Sequence, residues 1–473
     1  MKTRADMRPE AQTGNFFHSV YLDKELCVGC TTCIKRCPTQ AIRVRDGKAH
    51  IAEERCIDCG ECIRTCPKGA KKWISDPLAV MEGYDIKVAL PAPSLYGQFG
   101  VDTAPDTVFL ALRDIGFDEV FDVAWGAARL GLATKEYLDA AGPRPMISSA
   151  CPVVVRLVQL RFPSLIPQLV HLLPPFEIAA RELRRRLEAS IAGGGDKGNR
   201  GANRTTDGQP RIGVFFISPC TSKVTAIRNP LGYVRSEVDA VFSFQDIYAP
   251  LKKAIQRRKA AGESTCAGSG PPSKMGRIEG LGGGFGWARS DGELEALNVP
   301  GAVSVDGIDN LIALLEEIDN GKLGDIPYIE ALACPGGCVG GPMVVANPHV
   351  ARTAIKAVSV SQKGEEAPEA RSFNGGFDED PSAAGIGRSA DAGFEALEWE
   401  EELPPKPVMV LDRDLEKALA MAERLEELAA SLPGLDCGAC GAPDCRALAE
   451  DIVKGEAELD DCIVRLRRKT SDS

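Results

Sequence analysis

The chain has 473 residues, of which 44% are hydrophobic, and its formal net charge is -11. This length suffices for about three domains of ordinary size, and the hydrophobic content excludes a disordered chain. No basic stripe interleaved with aromatic residues occurs, so nucleic acid is not expected as a partner.

The N-terminal tail, residues 1–20, lacks the apolar core of a secretory signal. No stretch of about 18 uncharged apolar residues follows anywhere in the chain. We therefore expect a soluble, cytoplasmic protein with no membrane partner. In that compartment the 17 cysteines stay reduced, so metal ligation is favoured over disulfides.

Residues 21–78 are rich in cysteine and contain the spacing C-x2-C-x2-C-x3-C-P twice. In this bacterial ferredoxin spacing, the fourth cysteine of each run ligates the cluster of the other run. Two zinc sites are the alternative, but zinc motifs join C-x2-C units through a longer loop. The segment resembles an α+β two-cluster ferredoxin domain. The expected 4Fe-4S ligand sets are Cys27, Cys30, Cys33 and Cys66, and Cys56, Cys59, Cys62 and Cys37.

Residues 85–358 alternate between short apolar runs and helical stretches, which favours an α/β domain with a parallel sheet covered on both faces. Two segments rich in Gly and Ser, 193–209 and 262–273, are predicted to be surface insertions. Helices are predicted at 179–191, 245–258 and 310–318. Strands are predicted at 86–91, 119–124, 145–148, 212–218, 240–244, 303–305 and 328–333.

Four further cysteines lie in three short motifs of this domain. Cys151 lies in Ser-Ser-Ala-Cys-Pro, Cys220 in Ser-Pro-Cys-Thr-Ser-Lys, and Cys334 and Cys338 in Ala-Cys-Pro-Gly-Gly-Cys. The motifs follow predicted strands, and the carboxyl ends of parallel strands form the ligand sites of open sheets. The sequence therefore indicates one shared metal centre, although isolated buried cysteines are more often small core residues.

These three motifs resemble the signature loops of the iron-only (FeFe) hydrogenase large subunit, which implies a two-lobed parallel-sheet domain. The family's active site, the H-cluster, joins a 4Fe-4S cubane to a two-iron unit with carbonyl, cyanide and bridging dithiolate ligands. The resemblance implies that Lys223 binds a cyanide, since an ammonium donates strong hydrogen bonds to an anion; a solvated surface lysine is the alternative. It further implies that the cubane is held by Cys151, Cys220, Cys334 and Cys338, that Cys338 bridges to the two-iron unit, and that Ala92, Pro93 and Ser94 lie beside that unit.

The sequence departs from fast members of the family at two proton-transfer positions. Ala150 stands where they carry a second cysteine, and Ala226 stands where they carry a relay glutamate. Neither alanine can transfer a proton, so slow turnover is expected. The loop at residues 285–297 also departs from the family pattern and is taken as scaffold. These departures resemble the sensory branches of the family.

The C-terminal region is predicted to be an acidic linker rich in Gly, Ala and Ser (359–405) and a small helical domain (406–473). Its first helix is indicated by apolar residues at helical spacing: Leu415, Leu419, Leu425 and Leu428. The spacing C-x2-C-x4-C-x16-C follows, formed by Cys437, Cys440, Cys445 and Cys462. It resembles the 4Fe-4S modules of corrinoid proteins and membrane electron-transport complexes, and zinc is the alternative.

Two functions are compatible with this sequence. The favoured one is reversible dihydrogen oxidation and proton reduction with slow turnover, in an enzyme or a dihydrogen sensor, with electrons relayed through accessory clusters to a ferredoxin-like or other redox partner. It requires hydrogenase maturation proteins and, for a sensor, a regulatory partner. The alternative is a non-catalytic iron-sulfur carrier or assembly scaffold without a two-iron unit, in which a cyanide-binding Lys223 has no purpose. Residues outside every ligand set are Cys266, expected to be an exposed thiol, and His18, His50, His171 and His349.

Overall fold

The computed structural model describes residues 16–140, 144–192, 210–262, 284–363, 394–412 and 414–471. These residues form two compact units. The first contains Ser75–Val155 and Ser164–Leu403, and the second contains residues 16–74, 156–163 and 404–471. Cys266 and nearly all of both predicted insertions lie outside the described residues. No described helix is long and apolar enough to cross a membrane.

The N-terminal part of the second unit has two small antiparallel sheets and two short helices. Its strands are β1 (Val20–Leu22), β2 (Ile42–Arg45), β3 (Lys48–Ile51) and β4 (Lys71–Trp73). β1 pairs with β4, and β2 pairs with β3. The helices α1 (Thr32–Lys35) and α2 (Glu61–Thr65) each contain the third cysteine of one run. Cysteines make up much of its small hydrophobic core, so this part has little aliphatic surface to bury.

The first unit contains two parallel sheets, which confirms the two-lobed parallel-sheet fold. Its strands are β5 (Ile86–Pro91), β6 (Glu119–Val120), β7 (Met146–Ile147), β8 (Ile212–Ser218), β9 (Ala240–Ser243), β10 (Val303–Asp306) and β11 (Tyr328–Leu332). One sheet has the order β6-β5-β8-β9 and the other has the order β10-β11-β7. Every pairing within them is parallel.

Helices follow these strands, as the alternating pattern predicted. They are α3 (Pro105–Asp114), α4 (Val123–Asp139), α5 (Pro152–Arg161), α6 (Pro175–Ala192), α7 (Thr221–Arg228), α8 (Phe244–Ala260), α9 (Gly292–Leu297), α10 (Ile308–Asp319) and α11 (Pro348–Lys363). The strand predicted over 119–124 is shorter, because Asp122 caps α4 by accepting a hydrogen bond from the amide of Ala124 at 2.7 Å.

Part of the predicted linker packs on the first unit. The Trp399 ring stacks on His171 with 4.7 Å between centroids, and its Nε1 donates to the carbonyl of Leu172 at 2.8 Å. The amide of Leu173 donates to the carbonyl of Leu397 at 2.8 Å. Residues 359–363 belong to α11. The linker prediction followed the average composition of the segment, which does not reveal that Leu397 and Trp399 pack on the first unit.

The C-terminal part of the second unit is helical. Its helices are α12 (Leu415–Ser431), α13 (Cys445–Val453) and α14 (Ile463–Ser471). Leu425 and Leu428 are buried against α13, whereas Leu415 and Leu419 are 75% and 59% exposed. Only the second half of α12 therefore buries its apolar face.

Ion pairs join the C-terminal helices to β2 and its neighbours within the second unit. Nε of Arg43 and Nη2 of Arg45 each lie 2.7 Å from Oδ2 of Asp451, and Arg55 pairs with Glu450. The two carboxylates are only 4% and 3% exposed. Removing either carboxylate would leave at least one guanidinium poorly solvated and without its negatively charged partner.

Backbone contacts between β2 and the loop before α13 also join these two parts of the second unit. The amide of Val44 donates to the carbonyl of Gly441 at 2.9 Å. A Cβ atom on Gly441 would lie 1.9 Å from the carbonyl oxygen of Val44, and the residue has a φ of +86°. Both observations restrict position 441 to glycine.

Asp451→Asn should lower the free energy of unfolding by about 3 kcal/mol, because Arg43 and Arg45 lose their shared anion. Urea unfolding of the metal-loaded protein measures this change. Glu426→Gln is the control, since it breaks an exposed pair with Arg446 and should change stability little. Equal effects of the two variants would contradict a structural role for Asp451.

Candidate metal centres

The four dispersed cysteines meet at the carboxyl ends of strands from both sheets. Cys151, Cys220 and Cys334 follow β7, β8 and β11 within a few residues. Burial raises the pKa of the Cys220 thiol well above its ordinary value, and the nearby thiols of Cys334, Cys151 and Cys338 raise it further. The pKa of Cys151 is also raised, first by burial and then by Cys338. The structure therefore brings the four predicted residues together.

Lys223, on the first turn of α7, points to this group of thiols. Its Nζ donates to Sγ of Cys338 at 3.6 Å. Burial lowers the pKa of Lys223, but Cys338 and Cys220 raise it overall, so the side chain remains an ammonium. Lys223 is therefore not a fully solvated surface lysine.

The segment after β5 borders the same site. Ala92, Pro93 and Ser94 are buried, and the 3₁₀ turn Pro93–Phe99 packs against the turn Cys338–Gly340. The hydroxyl oxygens of Ser94 and Ser222 are buried and have no hydrogen-bond partner among the described residues. These two hydroxyls are therefore available to a bound group.

Glycine permits close packing of the last loop. A Cβ atom on Gly341 would lie 2.4 Å from the carbonyl oxygen of Pro219, beside Cys220. Gly337, which precedes Cys338, has a φ of +90°, and a Cβ atom there would lie 2.8 Å from the carbonyl carbon of Arg289. Converging thiols, an ammonium and unpartnered hydroxyls form a donor set that fits an iron-sulfur cofactor with anionic ligands.

The ferredoxin-like part forms two further groups of thiols. Burial raises the pKa of Cys33, and its neighbouring thiols are Cys30, Cys66 and Cys27. These residues also line one pocket. Burial raises the pKa of Cys62 to about 12, and Cys37 contributes to this shift. The thiols of Cys56 and Cys59 likewise interact with Cys37 and Cys62. Neighbours in space thus follow the crossed pattern of the sequence prediction.

Backbone amides support the crossing cysteines in the same way in both runs. The amide of Ala41 donates to Sγ of Cys37 at 3.2 Å, and the amide of Ala70 donates to Sγ of Cys66 at 3.2 Å. For Cys66, burial raises the pKa, but this and three other amides lower it overall. Hydrogen bonds to a thiolate favour the charged form that ligates metal.

The C-terminal helices assemble a fourth group of thiols. Burial raises the pKa of Cys440, and Cys462 and Cys437 raise it further. Cys440, Cys445 and Cys462 share one hydrophobic cluster. Asp436 accepts a hydrogen bond from the amide of Cys445 at 2.8 Å, which orders the loop that starts α13.

Sequence reasoning assigned no role to His18, which the structure places beside the second ferredoxin-like group. Its Nδ1 lies 2.8 Å from Oδ2 of Asp58, and both residues lie within 4.8 Å of the Cys56 sulfur. Comparing the two cysteine runs could have identified this site, because Asp58 in the second run occupies the position that Gly29 has in the first. The runs are therefore electrostatically different.

Two buried glutamates were also missed. Ser148 donates to both carboxylate oxygens of Glu293 at 3.0 Å, and Tyr328 donates to the same carboxylate. Burial raises the pKa of Glu293 to about 7, and burial together with Glu293 raises that of Glu330 to about 8. The loop at 285–297, taken as scaffold, thus contacts the loop that bears Cys151. A glutamate within the buried strand Tyr328–Leu332 was the available signal.

Family models match three parts of the chain. Residues 85–342 match the iron only hydrogenase large subunit, C-terminal domain. Residues 19–67 match the 4Fe-4S dicluster domain, and residues 432–464 match an Fe-S cluster model.

Curated relatives are similar at low identity. Iron hydrogenase 1 of Clostridium pasteurianum is 26% identical over 298 residues, which are 56% of this chain and 49% of that protein. The match therefore spans about half of the clostridial protein. The periplasmic [Fe] hydrogenase large subunit of Nitratidesulfovibrio vulgaris is 26% identical over 382 residues, which are 68% of this chain and 86% of that one. A solved [FeFe]-hydrogenase structure covers 68% of this chain and 95% of its own, with 17% identity and a TM-score of 0.45.

Glu293→Gln should flatten the pH dependence of stability. The folded chain holds the Glu293 proton up to about pH 7, whereas the unfolded chain releases it near 4.5. The unfolded state thus binds fewer protons between these values, so wild-type stability falls as pH rises through this window. Chemical unfolding at several pH values measures the slope. Asp325→Asn, at an exposed carboxyl, should keep the wild-type slope, and a slope unchanged in Glu293→Gln would contradict the assignment.

Proposed function

Because the chain belongs to the iron-only hydrogenase large-subunit family, we propose that it catalyses reversible dihydrogen oxidation and proton reduction, with the slow turnover that suits a dihydrogen sensor. The observation that carries this proposal is the meeting of four thiols with the ammonium of Lys223. A simple electron carrier needs the thiols but gives no purpose to a partly buried ammonium that donates to one of them.

In this proposal Cys151, Cys220, Cys334 and Cys338 hold a 4Fe-4S cubane, and Cys338 also holds the two-iron unit. When bound, that unit supplies the metal chemistry that splits dihydrogen heterolytically. Lys223 donates to its anionic ligands and orients them. Ala92, Pro93 and Ser94 exclude water from one side, and the hydroxyls of Ser94 and Ser222 remain as hydrogen-bond donors.

The other twelve ligand cysteines belong to two ferredoxin-type 4Fe-4S sites and one C-terminal 4Fe-4S site. They connect the active site to a ferredoxin-like or other redox partner in the cytoplasm, and maturation proteins supply the two-iron unit. We divide the chain into a ferredoxin domain (21–78), a hydrogenase domain (85–358) and a C-terminal cluster domain (406–473). A regulatory partner would read the redox state of the clusters.

Lys223→Ala should abolish the infrared bands of carbonyl and cyanide in the matured protein, because the ammonium no longer holds the two-iron unit. The electron paramagnetic resonance signals of the ferredoxin-type clusters should persist. Lys223→Arg keeps the charge and should retain weaker or shifted bands, while Lys356→Gln, at an exposed site, should match wild type. Wild-type protein without such bands after maturation would leave the carrier or scaffold function.

Ala150→Cys should increase turnover, since it restores an ionisable group at the first proton-transfer position. A positioned acid-base group contributes about a hundredfold to ten-thousandfold, so wild type should be slower than fast family members by at least about a hundredfold. Dihydrogen uptake and evolution over a range of pH measure this difference.

Ala226→Glu, alone and combined with Ala150→Cys, tests the second position that lacks a proton-transfer group. If only the double variant is fast, both positions limit turnover. Wild-type turnover equal to that of fast family members would contradict the proposal of a proton-limited sensor.

A further inference from the structure

A buried arginine lies beside the second ferredoxin-like group of thiols. Arg156 is 5% exposed, and its guanidinium stacks on the Phe16 ring at 4.4 Å from the centroid. Its Nε and Nη2 atoms are buried and have no hydrogen-bond partner within the described part of the chain. A desolvated guanidinium with two unused donors is unfavourable unless an anion lies near it.

The acidic groups that face Arg156 identify where that anion belongs. Burial lowers the pKa of Arg156 overall, and the charges of Asp58 and Cys56 partly offset this effect. Asp58 already accepts from the amide of Val20 at 2.9 Å and contacts His18 at 2.8 Å. The unused donors of Arg156 are thus not consumed by the carboxylate. The remaining acidic neighbour is Cys56, a ligand of the proposed second cluster, whose sulfur lies within 4.8 Å of the Asp58 carboxylate.

Lys71 is a second buried cation, and it acts on thiols of both ferredoxin-like groups. Lys71 is 2% exposed, and its Nζ has no hydrogen-bond partner among the described residues. Burial raises the pKa of Cys33 in the first group and of Cys62 in the second, and the charge of Lys71 opposes both shifts. Lys71 therefore acts on both groups, whereas the thiol that acts on Arg156 is Cys56 of the second group.

We propose that Arg156 selectively raises the reduction potential of the cluster held by Cys37, Cys56, Cys59 and Cys62. The inference rests on the proposed ligand sets. A 4Fe-4S cluster with four thiolates becomes more negative by one charge when it accepts one electron. A fixed cation stabilises that reduced state more than the oxidised state. Arg156 therefore shifts the distribution of the electron toward the second cluster of the ferredoxin-like part.

The test is a redox titration of the full chain, reconstituted with iron and sulfide and followed by electron paramagnetic resonance. Cys59→Ser and Cys30→Ser identify the signals of the second and first clusters by their loss. With Arg156→Gln, the ratio of reduced to oxidised second cluster at a fixed potential should fall about tenfold. For one electron this corresponds to a potential lower by about 59 mV. The first cluster should keep its potential.

Three further variants sharpen this result. Arg156→Lys keeps the charge and should restore most of the potential. Phe16→Leu keeps Arg156 but removes its stacking surface, and should lower the same potential by a smaller amount. Lys356→Gln makes the same change in net charge at an exposed site and should leave both potentials unchanged.

The outcomes separate this inference from the hydrogenase proposal, because the titration requires no two-iron unit. A second-cluster potential that is unchanged in both Arg156→Gln and Phe16→Leu would overturn the role of Arg156 and leave the ligand sets intact. An equal shift of both clusters would also overturn it. If Arg156→Gln fails to retain iron, the Phe16→Leu and Arg156→Lys titrations decide. If Cys59→Ser removes no signal, the ligand set and the inference fail together.

Discussion

The desolvation of cysteine thiols is the constraint on which the rest of this structure depends. The groups gather sulfur atoms, several of them into places with little water, as the raised pKa values of Cys62 and Cys220 indicate. A thiolate is unfavourable there without a compensating positive charge. Metal supplies that charge, so folding and metal binding are coupled. The coupling is strongest in the ferredoxin-like part, where cysteines form much of the core.

The parallel sheets were predictable because each strand is a short apolar run between turn residues. β5 and β8 have the predicted bounds, and β6 is shorter only because a capping aspartate starts the next helix early. The meeting of cysteines from different sheets followed from their position after strands. Their assignment as ligands stays a prediction.

The buried charges could not be predicted from local pattern. Glu293 and Arg156 look like ordinary surface residues in the sequence, since nothing in their spacing reveals what packs over them. The same limit applies to the ion pairs between β2 and α13, whose partners lie about four hundred residues apart. Asp58 and Glu330 offered local signals, because the duplicated run supplies Gly29 for comparison and because Glu330 lies within an apolar strand.

The ion pairs that hold the C-terminal helices also determine the surface that the ferredoxin-like part would present without them. A chain ending within residues 359–405 would uncover Arg43, Arg45 and Arg55 and remove the carboxylates that neutralise them. That surface would change from covered to basic. Because complementary charge steers encounters between redox proteins, such a shortened form would associate faster with acidic partners. Loss of one small domain would thus change which partner charge this surface favours.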